Sequence, residues 1–226
     1  MEKTFMFNSP PRSGNVFLTY LFSMFVDGPV NKCLEIKRYS DKTEKQAAFF
    51  RNPYDSIPST IIKSRVEWGS PIGVDNIGDL ENSIKFSAKE YLDAIKEAKA
   101  NASNIYIGKS EDMMNDPIGT ITDIALFFDF EVHNKQVSNN NQIVEEIKSK
   151  MINTERTRVD KDGLTIVENL MTSHDGHLPR EKTEQRVFLD ELIKKLNLDI
   201  VTECYKEYLS VESTNASKGQ KWPGTD

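Results

Sequence analysis

The sequence of 226 residues predicts an α/β fold with a central, mainly parallel sheet flanked by helices. Short apolar runs typical of strands alternate along the chain with longer segments that have helical apolar spacing. The first apolar run ends at residues 8–11, Asn-Ser-Pro-Pro, a sequence that stops a strand in a turn. Because 38% of the residues are hydrophobic, the chain has enough apolar side chains for a sheet covered on both faces.

The predicted elements follow that alternation. Strands are predicted at residues 4–7, 33–36, 47–50 and 104–108. Helices are predicted at 15–25, 56–67, 87–98, 117–128, 141–152, 183–196 and 199–209. Ser87 is the predicted N-cap of the third helix, because Glu90 follows it at the capping-box spacing. We expect one domain over residues 1–210 and a flexible tail over 211–226.

Composition excludes several classes of protein. The net charge of −6 argues against a general nucleic-acid binder. No stretch approaches the ~18 apolar residues of a membrane span, and the start of the chain lacks a signal-peptide apolar region. The 2 cysteines and 3 histidines are too scattered for a disulfide scaffold or a zinc site, so no metal is expected. The sequence therefore predicts a cytoplasmic protein without membrane or nucleic-acid partners.

Two turns carry residues that bind anions. Residues 10–17 join a predicted strand to a predicted helix, so backbone N–H groups point toward one position at a helix N-terminus. Arg12 adds a positive charge there, Ser13 a hydroxyl donor and Gly14 room for close backbone approach. The same residues also suit a plain strand-to-helix turn. Both the first Gly and the Lys of the nucleoside-triphosphatase loop are missing, which disfavours a Mg·ATP enzyme such as a small-molecule kinase.

A second candidate follows the third strand. Arg51 begins the sequence Arg-Asn-Pro-Tyr-Asp, and Ser59 lies eight residues later near the start of a helix. Both side chains are therefore candidates to meet a second anion.

These segments resemble motifs of the sulfotransferases that use 3′-phosphoadenosine 5′-phosphosulfate (PAPS). Residues 11–17 resemble the loop P-[KR]-S-G-[ST]-[ST]-[WF] at five of seven positions, and residues 51–59 match every fixed position of R-N-P-x-D-x-x-x-S. Residues 110–117 resemble Y-E-D-[LM]-x-x-[DN]-P. The resemblance covers roughly residues 4–130 and implies a P-loop-like architecture.

The resemblance also implies a role for each matching residue. Arg12 would touch the bridging and sulfuryl oxygens of PAPS, and Phe17 would pack near the adenine. Arg51 and Ser59 would bind the 3′-phosphate. The 5′-phosphate would be cradled by four residues: Ser13, Gly14, Asn15 and Val16. The implied reaction is in-line transfer of a sulfuryl group to the hydroxyl or amine of a small-molecule or glycan acceptor, which leaves adenosine 3′,5′-bisphosphate (PAP).

The sequence leaves the identity of the catalytic base open among three candidates. Members of the family that this chain resembles use a His after the second strand, where this chain has no His, or a Glu near the same strand end, which makes Glu35 a candidate. His174 and His177 are further candidates because a histidine accepts a proton near neutral pH. Each of the three also has a structural alternative, an ion pair at a strand end for Glu35 and a solvated turn for the histidines. His133 is expected at the surface.

Several positions depart from the family pattern. Asn15 and Val16 replace hydroxyl residues, and Ser110 stands where an adenine-stacking Tyr is common. The late R-K-G-x-x-G motif has no clear match, with Arg180 and the Lys-Gly pair at 218–219 as weak substitutes. These departures favour an alternative, a catalytically impaired nucleotide-binding or scaffold protein of the same fold. We expect acceptor-binding loops at about 69–85 and 153–180, and the oligomeric state is open.

Overall fold

The structure is a computed structural model that describes residues 5–7, 9–10, 13–26, 30–32, 45–68, 72–133, 139–153, 155–159, 165–169 and 184–211. The strands are β1 (Phe5–Phe7), β2 (Val30–Lys32), β3 (Gln46–Phe50), β4 (Ile105–Lys109), β5 (Glu155–Val159) and β6 (Thr165–Asn169). The helices are α1 (Asn15–Phe25), α2 (Pro53–Trp68), α3 (Ile77–Ala100), α4 (Ser110–Asn115), α5 (Pro117–Phe128), α6 (Asn140–Asn153), α7 (Glu184–Leu196) and α8 (Asp199–Leu209).

Four strands form a parallel sheet in the order β2-β1-β3-β4, which confirms the predicted fold class. Phe7 of β1 is in register with Lys32 of β2 and with Ala47 of β3. Phe50 at the end of β3 is opposite Lys109 at the end of β4. The carboxyl ends of all four strands therefore lie at one edge of the sheet, where ligands bind in folds of this kind.

Helices cover both faces of the sheet, so every residue of β3 is buried. Ala48 and Phe50 of β3 face a core formed with helices α2, α3, α7 and α8. Ala47 and Phe49 face the opposite core, formed with α1, α4, α5 and α6. Alternate residues of a strand point to opposite faces, so a strand covered on both faces needs a continuous apolar run, as at residues 47–50.

Helix α3 begins about ten residues earlier than predicted, at Ile77 rather than near Ser87. Leu80 and Ile84 are completely buried and extend the apolar stripe of the helix toward its N-terminus. Burial of these two side chains outweighs the Gly and Asn residues that indicated a loop here. The expected acceptor loop at 69–85 is therefore helical from residue 77 onward.

Three other predictions differ from the structure or lie partly outside the described residues. An acceptor-binding loop is expected at about 153–180, but β5 and β6 pair in an antiparallel hairpin within that stretch. The strand next to β1 lies at Val30–Lys32, whereas the predicted strand at 33–36 lies outside the described residues. Val211, the first residue assigned to the tail, is buried, and residues 212–226 lie outside the described part. Within that part, no helix is long and apolar enough to cross a lipid bilayer.

Candidate functional site

The two predicted anion-binding turns follow neighbouring strands. Turn 1 comprises residues 9–14, between β1 and α1, of which 9–10 and 13–14 are described, and turn 2 comprises residues 51–55, which join β3 to the first turn of α2. The backbone N–H of Phe49 donates a 2.8 Å hydrogen bond to the Ser9 hydroxyl, which joins turn 1 to the end of β3. Parallel pairing of β1 with β3 therefore brings the two turns together at one edge of the sheet.

Turn 1 ends in a glycine with left-handed backbone. Gly14 has φ 81° and is the N-cap residue of α1, where it makes no side-chain cap. Its carbonyl accepts the first helical hydrogen bond, from Leu18 at 3.0 Å. A side chain at Gly14 would be strained, because its Cβ would lie 2.9 Å from the Met113 Cε atom and the backbone conformation disfavours L-residues. The glycine thus lets α1 begin directly beside helix α4.

The N-terminus of α1 keeps unsatisfied polar groups. Ser13 is completely buried, and its hydroxyl has no hydrogen-bond partner among the described residues. The Asn15 side-chain oxygen is likewise unsatisfied there, while its amide nitrogen donates to the Ser9 carbonyl at 3.4 Å. The first turn of α1 also has no acidic residue, so its positive end has no carboxylate of its own. A buried donor at such a helix end suits a phosphate or sulfate oxygen.

The next two predicted residues lie in α1. Val16 is half-buried and packs against the same core as α4 and α5. Phe17 is only 3% exposed and belongs to that core. The predicted contact of Phe17 with an adenine base stays a prediction.

Turn 2 is held by side chains from α3 and α4 and by one side chain of its own. The Arg51 carbonyl accepts a 2.8 Å hydrogen bond from the Tyr91 hydroxyl on α3. The Asn52 backbone N–H donates to the Glu111 carboxylate at 3.0 Å, and the Asn52 side-chain oxygen accepts from the Tyr54 N–H at 3.0 Å. Burial raises the pKa of Tyr91, which keeps its hydroxyl protonated as a donor. The backbone of turn 2 is therefore fixed without a ligand.

Two side chains are predicted to bind the second anion, one cationic and one with a hydroxyl, and they lie beside and within helix α2. Arg51 is half-buried immediately before α2, and Ser59 lies on α2 with 5% of its surface exposed. The structure thus puts both residues on the segment that follows β3, next to turn 1. Their contact with a phosphate stays a prediction.

The third motif supports both turns. Ser110 is 6% exposed and donates a 2.7 Å hydrogen bond to the Ser13 carbonyl in turn 1. Glu111 accepts from Asn52 in turn 2 and, with its other oxygen, from the Tyr208 hydroxyl of α8 at 2.8 Å. Burial and the Glu111 hydrogen bond raise the pKa of Tyr208. Ser110 is therefore a support beneath turn 1 rather than an exposed platform for a base, and sequence reasoning missed the bridging role of Glu111.

A cleft of about 140 Å³ lies between turn 1, α2 and α3. Ser56 is 2% exposed at this cleft, and its hydroxyl has no hydrogen-bond partner in the described part of the chain. The lining residues are Pro10, Ser56, Ile57, Thr60, Phe86, Ser87, Glu90 and Tyr91.

Other candidates fall outside the structural description. Arg12, Glu35, His174 and His177 lie outside the described residues, as do Arg180 and residues 218–219. Their proposed roles stay predictions. His133 is described and is exposed, as expected. The described ranges contain no group of three or more His, Cys, Asp or Glu side chains arranged to hold a metal ion.

Comparison with known proteins supports the fold. The chain is similar to the crystal structure of mouse sulfotransferase SULT7A1 complexed with PAP, with a TM-score of 0.50 and 17% sequence identity. The likeness covers 92% of this chain and 89% of the mouse chain. No protein-family model matches the sequence, and no curated protein matches it. The chain therefore has a sulfotransferase-like fold, shared at low sequence identity.

Proposed function

We propose that this protein is a sulfotransferase that transfers the sulfuryl group of PAPS to an acceptor hydroxyl or amine. The proposal rests on two turns with anion-binding sequence motifs that lie at the ends of adjacent strands. In one of them the buried Ser13 hydroxyl has no hydrogen-bond partner among the described residues. A nucleotide with phosphates at both its 5′ and 3′ positions has two anionic ends for two such turns. The similarity to a sulfotransferase structure with PAP supports the same assignment.

The residues of each turn have distinct tasks in this proposal. The Ser13 hydroxyl and the N-terminus of α1 hold the 5′-phosphate, while Arg51 and Ser59 hold the 3′-phosphate. When bound, PAPS supplies a sulfuryl group whose bond to the 5′-phosphate oxygen breaks as a bond to the acceptor forms. Arg12, assigned from the motif alone, stabilises the charge that builds on the leaving oxygen.

The acceptor enters the cleft beside Pro10. Its volume of about 140 Å³ is close to that of an engineered cavity that holds one benzene molecule, about 150 Å³, so it admits a single six-membered ring. Ser56 offers a hydroxyl to a polar substituent. Glu90 is the carboxylate among the lining residues and joins Glu35, His174 and His177 as a candidate base.

A second candidate function is nucleotide binding without transfer. Val16 has no hydroxyl to offer a phosphate, and Ser110 is buried under turn 1 instead of standing against a base. Both observations favour a protein that keeps the nucleotide site and lacks turnover.

Thermal unfolding with added nucleotides tests the proposal first. We expect PAP to raise the Tm of the full chain and ATP with Mg²⁺ to leave it unchanged, because only PAP carries a 3′-phosphate for turn 2. Stabilisation by Mg·ATP alone would reject the proposal.

Sulfate transfer then separates the two candidates. Labelled PAPS and a panel of alcohols, phenols, amines and sugars should give a sulfated product, and Arg12→Ala should nearly abolish its formation. Tight PAP binding with no product from any acceptor would favour the non-catalytic protein. Near-normal turnover in Arg12→Ala would remove Arg12 from the reaction.

A further inference from the structure

Arg186 of helix α7 contacts the first turn of α2, 131 residues earlier in the chain. Its guanidinium donates to the Tyr54 carbonyl at 3.1 Å and to the Asp55 carbonyl at 3.4 Å. It also forms ion pairs with the carboxylates of Asp55 at 2.6 Å and Asp190 at 2.7 Å. Arg186 is 8% exposed and its partner Asp190 is also largely buried, whereas the side chain of Asp55 is 41% exposed. The guanidinium therefore lies largely out of water, with one of its two carboxylate partners at the surface.

The Tyr54 carbonyl needs a donor from outside the helix because of Pro58. In a regular helix the N–H of residue 58 would bond to the carbonyl of residue 54, and proline has no N–H. Arg186 supplies that donor. Pro58 thus removes one backbone hydrogen bond from the turn of α2 that carries Ser59, and Arg186 of α7 replaces it.

Charge gives a second reason for the contact. Asp55 lies in the first turn of α2, close in sequence to Arg51, and a carboxylate there repels a phosphate. The guanidinium of Arg186 compensates that carboxylate at 2.6 Å. The Asp190 carboxylate accepts a hydrogen bond from Nε of Arg186 and so holds the guanidinium in place.

We infer that Arg186 is a positioning residue for the 3′-phosphate half of the site, acting through the start of α2. The inference rests on the proposed function. Arg186 orders the backbone between Arg51 and Ser59 and removes the repulsion from Asp55, and it touches neither the nucleotide nor the reacting atoms.

The chain contains a matched control on the same helix. Arg65, near the other end of α2, is also largely buried and pairs with Asp79 at 3.2 Å and with the Ser83 hydroxyl at 3.0 Å. Its replacement removes a comparable contact far from turn 2. Arg65→Gln therefore reports the effect of loosening α2 in general.

The test compares PAP with 5′-AMP, which lacks the 3′-phosphate, by calorimetric titration of the full chain. Wild type should bind PAP more tightly than 5′-AMP. Arg186→Gln should lose at least tenfold in PAP affinity and less than twofold in 5′-AMP affinity, whereas Arg65→Gln should preserve the ratio of the two. Arg186→Lys, which keeps the charge but not the forked donor, should fall between wild type and Arg186→Gln.

Each outcome decides a different point. An unchanged PAP to 5′-AMP ratio in Arg186→Gln, or an equal loss for both nucleotides, overturns the inference while leaving the proposed function standing. No preference for PAP in wild type overturns the proposed function itself. If Arg186→Gln does not fold, Arg186→Lys decides, and a wild-type ratio in that variant overturns the inference.

Discussion

Turn 1 and turn 2 follow adjacent strands, but their polar groups are satisfied differently. Where turn 1 meets α1, the Ser13 hydroxyl and the Asn15 side-chain oxygen are buried without partners among the described residues. In turn 2 the polar backbone groups have protein partners, from Tyr91 at the Arg51 carbonyl, Glu111 at the Asn52 N–H and Arg186 at the start of α2. Turn 2 is thus completed by the protein itself, whereas the described part of turn 1 keeps buried polar groups that our proposal assigns to a ligand.

The difference has an energetic consequence. A buried hydroxyl without a partner costs stability until a ligand oxygen accepts its hydrogen bond, so in our proposal nucleotide binding at turn 1 gains a hydrogen bond that folding does not supply. Contacts that hold turn 2 contribute to folding before any ligand arrives, and they lower the cost of ordering the site on binding. Substitutions in turn 1 should therefore affect mainly affinity, and those around turn 2 both affinity and stability.

The largest effect is expected from Glu111→Ala. The substitution leaves the Asn52 N–H and the Tyr208 hydroxyl without their acceptor, and each such group costs about 1–3 kcal/mol when buried. We expect the free energy of unfolding to fall by about 3 kcal/mol, measured by urea denaturation, together with a loss of PAP affinity. Glu145→Ala, which removes an exposed partner of Lys148, should change stability by less than about 0.5 kcal/mol. Equal effects of the two substitutions would contradict the bridging role of Glu111.

Gly14→Ala should have the next largest effect. An alanine at φ 81° is strained by about 1–2 kcal/mol, and its Cβ also displaces the Met113 side chain. We expect a lower Tm and weaker PAP binding. Gly78→Ala is the control, since Gly78 is exposed in helix α3 and a Cβ added there would meet no atom within 4 Å. Alanine at that position should stabilise the protein by about 0.4–1 kcal/mol. A stable Gly14→Ala variant with normal affinity would show that the left-handed backbone is not required.

Much of the fold was predictable from local patterns. The run ending at Phe50 is short, continuous and apolar, which is typical of a strand buried on both faces, and Pro117 opens a helix as expected. The start of α3 was not predictable in this way, because it depends on where Leu80 and Ile84 find a core. Capping signals such as that at Ser87 also occur inside helices, and only tertiary packing distinguishes the two cases.

The site, like the fold, has a part that was predictable from local sequence and a part that depends on tertiary packing. Turn 1 and turn 2 each lie within about ten residues of sequence, so their residue types and spacing were visible. Arg186 and Tyr208 come from α7 and α8 and reach turn 2 only through the packing of those helices. No local signal pointed to Arg186, because the helix predicted at 56–67 puts Pro58 in its first turn, where the missing N–H leaves no helical carbonyl without a donor. Only the observed start of α2 at Pro53 puts Pro58 inside the helix, so that the Tyr54 carbonyl needs an outside donor.

The two turns differ most clearly at Ser13, where PAP affinity should fall without any loss of stability. Ser13→Ala removes a buried hydroxyl without a partner in the described structure, so unfolding free energy should stay constant or rise by up to about 1 kcal/mol. PAP affinity should fall by about tenfold to a hundredfold, because a hydrogen bond to a charged oxygen contributes about 1.5–3 kcal/mol. Ser56→Ala removes the second described serine whose buried hydroxyl lacks a partner, at the proposed acceptor cleft, and should give the same stability change with unaltered PAP affinity. Calorimetric titration and urea denaturation of both variants measure the two quantities, and a loss of PAP affinity common to both would show that Ser13 does not contact the nucleotide.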